Sequence, residues 1–362
     1  MTQSSGEQVG KMRTLFVSPL PPSKCGIASY AEEHYLRLVS DGTEVKTASM
    51  LPDSKTDLHV NLRSLRSCLA FLLSVLRFRP RSVVVHYADV MFFPWRIPGR
   101  IRRKVLRVFQ SLVLLTLAKT ATNSSVIVHE LPVDRELPRF NTWIRQLALG
   151  SFTEIAFHTR SMREEFHQRF PRISRARTSE IDHARFMQRR FHGTREEARA
   201  KLHLAADRLQ FLCLGFFHQA KGFDEAITAF RNADIGSSAH LHVVGTPHGS
   251  TDAIVQHAAL LAKLCEDTQG AFCHEVFVDD EGFDMWLAAA DLLILPYRGV
   301  ASSGVGARAS LYGTRLLIRN LVNLTDQFPD AVTFEDEAAL TLELQSLAAA
   351  SPSHPMAGNP NC

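Results

Sequence analysis

The segment Leu214-Gly215-Phe-Phe-His-Gln-Ala-Lys221-Gly222-Phe-Asp-Glu-Ala226 decides how this chain is read. Before it, residues 209–214 are an apolar run of strand length; after it, residues 223–231 repeat apolar positions at helical spacing. A strand ending on glycine, followed by a helix opened by Lys-Gly, is the turn of a parallel sheet with crossover helices. Two readings of the turn stand side by side. In one it is a phosphate site: Gly215 lets backbone approach a ligand, the helix N-terminus favours an anion, and Lys221 adds a point charge. In the other it is an ordinary strand–helix turn with a solvated lysine, because isolated Gly/Lys loops are weak signals.

Working outward, the alternation continues in both directions. Downstream it predicts strands at 240–244, 275–278, 292–296 and 315–319, with helices at 251–266, 282–290 and 305–312 between them. Upstream it predicts strands at 14–18, 45–48, 82–87, 125–129 and 154–157, with helices at 26–39, 62–77, 101–119, 142–149 and 161–170. An Arg-rich, weakly periodic stretch at 171–207 separates the two series and reads as a linker running into a helix at 194–202. The 362 residues therefore suit two α/β, Rossmann-like, doubly wound domains at 12–180 and 181–349. Polar or Pro-rich tails at 1–11 and 350–362 are expected to be disordered. Such sheets bind ligands at their strand carboxyl ends, so two facing units would leave a cleft.

Composition narrows the class. Apolar residues make up 45% and charged residues 22%, with 41 bases against 37 acids, a balance that does not point to nucleic acid. Six cysteines form no CxxC pair, several lie inside apolar runs, and they read as reduced, buried residues. Neither a secretory apolar region nor a membrane-length apolar run is visible, so a cytoplasmic protein is expected. Between Arg77 and Arg107, however, nine bases meet one acid, Asp89. The basic start of the 101–119 helix, with Phe92, Phe93 and Trp95 nearby, reads either as peripheral contact with the inner membrane face or as a core helix with a solvated end.

Two further segments resemble the first. Leu292-Leu-Ile-Leu-Pro296-Tyr297 is a buried strand, and Ser302-Ser303-Gly304-Val305 then offers an N-cap and exposed amides to a phosphate. A merely capped helix is the alternative. Near the start, Ser18-Pro-Leu-Pro-Pro-Ser-Lys24-Cys-Gly26-Ile-Ala-Ser-Tyr30 carries a strand into a helix without a dinucleotide GxGxxG fingerprint. Gly26 is either a turn glycine or a place where the loop comes close to a ligand.

Taken together, Gly26-Ile27-Ala28-x-Tyr30, Gly215-x5-Lys221-Gly222, Ala290-Asp291-(apolar)-Pro296 and Ser303-Gly304 resemble the retaining GT-B glycosyltransferases of family 4, over about residues 13–345. The resemblance implies an acceptor-binding N-terminal domain and a C-terminal domain that binds a nucleotide-diphosphate sugar, with no cofactor and no obligatory metal. It implies that Lys221 stabilises the leaving diphosphate, that the amides of Ser303, Gly304 and Val305 cradle the distal phosphate, and that Gly26 lets a loop close over the donor. His129, ending the strand at 125–129, matches the position of a histidine near the transferred sugar. Gly215 and His218 complete the donor loop.

The chain also departs from that pattern. The family's paired Glu residues, seven apart, should fall near Val300 or Ala301 and at Arg308, and neither position is acidic. Arg308 is therefore expected to alter recognition of the nucleotide ribose. Phe216 stands where an Arg commonly follows the loop glycine. Lacking paired carboxylates, a double displacement is disfavoured. The expectation is transfer from a nucleotide-sugar donor to a glycan or lipid-linked acceptor in glycan or glycolipid biosynthesis. The competing expectations are a degenerate subunit that supports a partner transferase and a UDP-sugar epimerase.

Overall fold

The computed structural model describes residues 13–350, apart from 24, 95, 96, 98, 133–138, 248 and 250. The expected tails, except Ala350, lie outside the described residues, as do Lys24 and Trp95. Ala350 is the last residue of the helix Glu337–Ala350. The chain divides into two units between Met187 and Gln188.

Unit 1 holds seven strands: β1 Arg13–Val17, β2 Glu44–Ser49, β3 Leu58–His59, β4 Ser82–Ala88, β5 Asn123–Glu130, β6 Glu154–Phe157 and β7 Thr178–Glu180. They pair in parallel in the order β3-β2-β1-β4-β5-β6-β7. The chain thus winds outward from β1 to one edge, then returns beside β1 and winds to the other. The reversal between β1 and β4 is the switch point of a doubly wound sheet. Leu15, Val83, Val85, Val126 and Val128 are fully buried, as expected of central parallel strands covered on both faces.

Unit 2 repeats the plan with β8 Leu209–Leu214, β9 Ala239–Gly245, β10 Ala271–Glu275, β11 Leu292–Leu295, β12 Arg315–Arg319 and β13 Val332–Phe334. Their parallel order is β10-β9-β8-β11-β12-β13, with the switch point between β8 and β11. One continuous apolar cluster, from Phe211 to Leu344, fills this unit. Asp291, just before β11, ties the sheet to the unit's first helix: it accepts from the Gln210 amide at 2.8 Å, Arg199 at 2.6 Å and Arg195 at 3.1 Å.

Three expectations are corrected. The strand expected at 275–278 is β10, Ala271–Glu275, because Phe272, Cys273 and His274 pair with β9 while Val276 begins the exit loop. The stretch at 171–207 is not a linker. It supplies β7 to the first sheet, and Phe186 stacks on His34 at 3.7 Å, which holds the segment after β7 in unit 1. It then supplies the helix Arg195–Lys201, started by a Thr194/Glu197 capping box. Finally, Phe92 and Phe93 are buried, 1% exposed each, and so are not the exposed aromatics expected near the basic helix.

Candidate active site

In unit 2 the two expected phosphate loops converge on one aromatic ring. Tyr297 follows β11 and is fully buried. The Lys221 ammonium lies over its face, 3.8 Å from the centroid, a cation–π contact that orients the charge. The Tyr297 hydroxyl lies 3.5 Å from Ser303 Oγ. A cation from the β8 loop and the helix start after β11 are thereby held at adjacent strand carboxyl ends.

The loops are locked by backbone contact. Gly222 has φ +66°, and a Cβ there would sit 2.1 Å from the Pro296 carbonyl oxygen, so only glycine fits this crossing. The Arg298 amide donates to Ala220 O at 2.8 Å, and its guanidinium donates to Gln219 O at 2.6 Å and to Asp224 at 2.7 Å. Gly215, directly after β8, has φ +132°, and nothing lies within 4 Å of a Cβ built there. His218 is exposed, and its Nδ1 accepts from the Ala220 amide at 3.1 Å, capping the loop.

Ser303 caps the helix Gly304–Ser310, its Oγ accepting from Gly306 N at 3.2 Å. Its own amide donates to Gln327 Oε1 at 2.7 Å, while Gln327 Nε2 donates back to Ser303 O at 3.1 Å. The Ser303 amide is therefore committed to Gln327 and is not the phosphate donor expected of it. The amides of Gly304 and Val305, first in the helix, have no partner in helical geometry. Gln327 and Tyr297 are site-shaping residues that sequence reasoning missed. The helix Val322–Gln327 that carries the former gave no periodic signal.

Two other expectations change. The helix opened by Lys221-Gly222, Phe223–Ala233, has Asp224 and Glu225 in its first turn. These acids occupy the anion-favouring end and pair with Arg298 and Arg319. Lys221, which pairs with no acid among the described residues, is the charge of this loop left for a ligand anion. Arg308 turns inward: its Nη1 lies 2.9 and 3.1 Å from the two oxygens of Asp284, and it also donates to Gln188 O at 3.1 Å. Asp284 in turn accepts from Tyr312 OH at 2.5 Å and Arg190 N at 2.9 Å. Burial lowers Arg308 to about 10 and raises the Asp284 carboxyl, although its hydrogen bonds pull the other way. Arg308 thus joins two helices of its own unit instead of standing ready for a ribose.

In unit 1 the strand carboxyl ends gather histidines. His86 lies two residues before the end of β4, His129 is next to last in β5, His158 follows β6 and His183 lies three residues past β7, while Tyr30 and His34 come from the helix Gly26–Ser40. The Tyr30 ring makes edge contacts with His86, His129, His158 and His183 at 5.0–5.6 Å. Two hydrogen bonds string three of the histidines together. His34 Nδ1 lies 3.1 Å from His86 Nε2, and His86 Nδ1 lies 2.9 Å from His129 Nε2.

Burial, then the neighbouring imidazoles, hold His86 and His129 well below the ordinary histidine range. Burial first, then Arg185 and Arg37, lowers His34 to about 4. In a chain of neutral rings each bond has one donor, so the proton on His34 dictates the tautomers of His86 and His129. It thereby decides whether the remaining His129 Nδ1 donates or accepts. Gly26 opens the helix of Tyr30, and nothing lies within 4 Å of a Cβ built there.

No family model matches the sequence, and no curated protein matches it. Solved structures do match. Sucrose-phosphate synthase from Thermosynechococcus elongatus is 16% identical, with TM-score 0.67 over 94% of this chain and 90% of that one. A glycosyltransferase from Rickettsia africae is 12% identical, with TM-score 0.65 over 94% and 88%. The UDP-forming α,α-trehalose-phosphate synthase from Burkholderia xenovorans, solved with glucose-6-phosphate, is 11% identical, with TM-score 0.64 over 94% and 93%. At such identities the likeness speaks for architecture, and the architecture is the GT-B fold of these glycosyltransferases, two doubly wound parallel sheets in one chain.

Proposed function

We propose that the protein is a retaining glycosyltransferase of the family 4 type, moving a sugar from a nucleotide-diphosphate donor to an acceptor hydroxyl. The observation that carries this reading is the Lys221 ammonium held on the Tyr297 face beside the Ser303 helix start. A fixed cation next to two unpaired amides suits a diphosphate that gains negative charge as it leaves. In the reaction the bond between the anomeric carbon and the diphosphate oxygen breaks. The acceptor oxygen bonds to that carbon on the same face, and its proton passes to the departing phosphate. The chain's own part is positioning and charge stabilisation, without a metal or cofactor. His129 is assigned a sugar hydroxyl through Nδ1, the nitrogen not engaged by His86.

The acceptor in this reading is a glycan or a lipid-linked sugar in the synthesis of a cell-surface polysaccharide or glycolipid. The protein works in the cytoplasm, meeting the inner membrane face peripherally through the region of the helix Arg100–Lys119. A second reading, a binding subunit that supports a partner transferase, draws on one observation. Arg308, at the expected ribose position, is occupied by Asp284.

Thermal shifts against UDP, GDP, ADP and dTDP identify the base, since a ligand of the folded state raises the midpoint by mass action. With the matching sugar donor, Lys221→Ala is expected to lower turnover by about 10²–10³, the size of a lost charge-stabilising donor. Turnover within a few-fold of the parent would sink the assignment. Donor binding without turnover in the parent would favour the second reading.

A further inference from the structure

On one side of unit 1, three helices carry apolar residues where solvent-facing helices ordinarily carry charge. The helix Leu65–Phe78 exposes Leu65, Leu69, Leu73 and Leu76, with Leu73 55% exposed. The helix Arg100–Lys119, packed against it, exposes Ile101, Val105, Val108 and Leu112, with Ile101 80% exposed. On the other flank of that helix, the helix Arg139–Leu149 exposes Phe140, Trp143 and Leu147, with Trp143 53% exposed. Each set recurs at three- and four-residue spacing, so each forms a stripe along its helix.

None of the three helices contains an Asp or Glu. In a chain with nearly balanced charge this is a local excess of one sign. Arg66, Arg77, Arg102, Arg103, Lys104 and Arg139 are all exposed on these helices. Arg107 and Arg145 are the inward exceptions, bound to Gln110 and to Asp89. Where the first two helices begin to meet, Arg63 and Arg102 line a groove of about 360 Å³ together with Ser64, Leu65, Val105 and Leu106. Neither guanidinium has an ion-pair or hydrogen-bond partner among the described residues.

We infer that this three-helix face docks on a bilayer rich in anionic phospholipid. The leucine, valine and tryptophan stripes would enter the headgroup boundary, and Arg63 and Arg102 would receive lipid phosphate in their groove. Apolar stripes beside uncompensated bases match such a surface, which offers both acyl chain and negative charge. A second copy matches it poorly, because two acid-free faces would bring like charges together. This extends the membrane contact proposed above from one helix to a defined face. It rests on that contact and not on the transfer chemistry.

The test is co-sedimentation of the full chain with phosphatidylcholine vesicles, with and without phosphatidylglycerol, in the absence of any nucleotide sugar, so that its outcome is independent of turnover. Pelleting is expected only with phosphatidylglycerol and should weaken with salt. Arg63→Ala with Arg102→Ala should weaken it about thirtyfold, from the strength of two basic residues at an anionic surface. Leu69→Glu with Leu73→Glu should abolish it while circular dichroism stays native, since both leucines are half-exposed. Trp143→Phe should keep the pelleting and reduce the blue shift of tryptophan emission that the vesicles produce. Absence of pelleting with phosphatidylglycerol, equal pelleting with phosphatidylcholine alone, or indifference to both variant pairs would overturn the inference. So would a concentration-dependent dimer in sedimentation velocity that Leu73→Glu breaks.

Discussion

At Arg308 a buried cation meets a fully buried carboxylate, and removing either leaves the other uncompensated. Breaking such a pair typically costs about 3–5 kcal/mol, because the remaining charge stays desolvated. Arg308→Met should therefore lower the denaturation midpoint sharply. The folded variant should keep its nucleotide affinity, measured by calorimetry well below that midpoint. A large loss of affinity with stability intact would return Arg308 to the ligand. The same logic explains why this position misled a reading of spacing alone. Asp284, its partner, is an ordinary helix residue in the sequence, and nothing local marks it and Arg308 as a buried pair. Lys221 was legible because its loop is local, bounded by a strand and a helix. The Tyr297 ring that orients it was not legible, since a cation–π contact between two loops leaves no trace in either.

At the scale of elements, the crossing of two loops at Gly222 is the feature on which the site depends. Gly222→Ala must place a Cβ against the Pro296 carbonyl in a left-handed conformation that alone costs roughly 1–2 kcal/mol. The variant should lose more than that in urea titration and should bind nucleotide more weakly, because Arg298 and Ala220 shift together. Gly26→Ala is the contrast, with no backbone conflict and open space at the new methyl. It should fold at parental stability, and a fall in turnover there would mark a close approach of ligand to that loop. Strand and helix order could be read from apolar periodicity because central strands are buried on both faces. The failures have a common cause. β3, β7 and β13 span only two or three residues, too short for a period. Helix Glu337–Ala350 is rich in alanine and leucine around most of its circumference, so it has little contrast between faces.

At the scale of the molecule, the histidines of unit 1 were invisible as a group, since His34, His86, His129, His158 and His183 come from different crossovers. Only the parallel sheet brings them together, by ending β4, β5, β6 and β7 at one edge. Their shared burial has a consequence for the whole chain. His34 and His158 are lowered to about 4, burial being the first cause in both, and His86, His129 and His183 also lie well below the ordinary range. Arg185 and Arg37 press His34 further down, whereas Asp182 partly offsets the shift of His158. In unit 2, burial lowers His242 to about 3. In the unfolded chain each ring titrates near pH 6.5. Above that pH all are neutral in both states, and stability should be flat. As pH falls below about 6.5, the unfolded chain takes up protons that the folded chain refuses. Each histidine can then remove up to about 1.4 kcal/mol per pH unit until its own folded-state value is reached. Urea midpoints followed from pH 7.5 to 5 should therefore hold and then drop steeply. His158→Phe, which can keep the stack on His183, should make the drop shallower by one group. A midpoint that stays level from pH 7 to 5 would mean that the cluster accepts charge, and with it that the neutral His34–His86–His129 relay is not the working state.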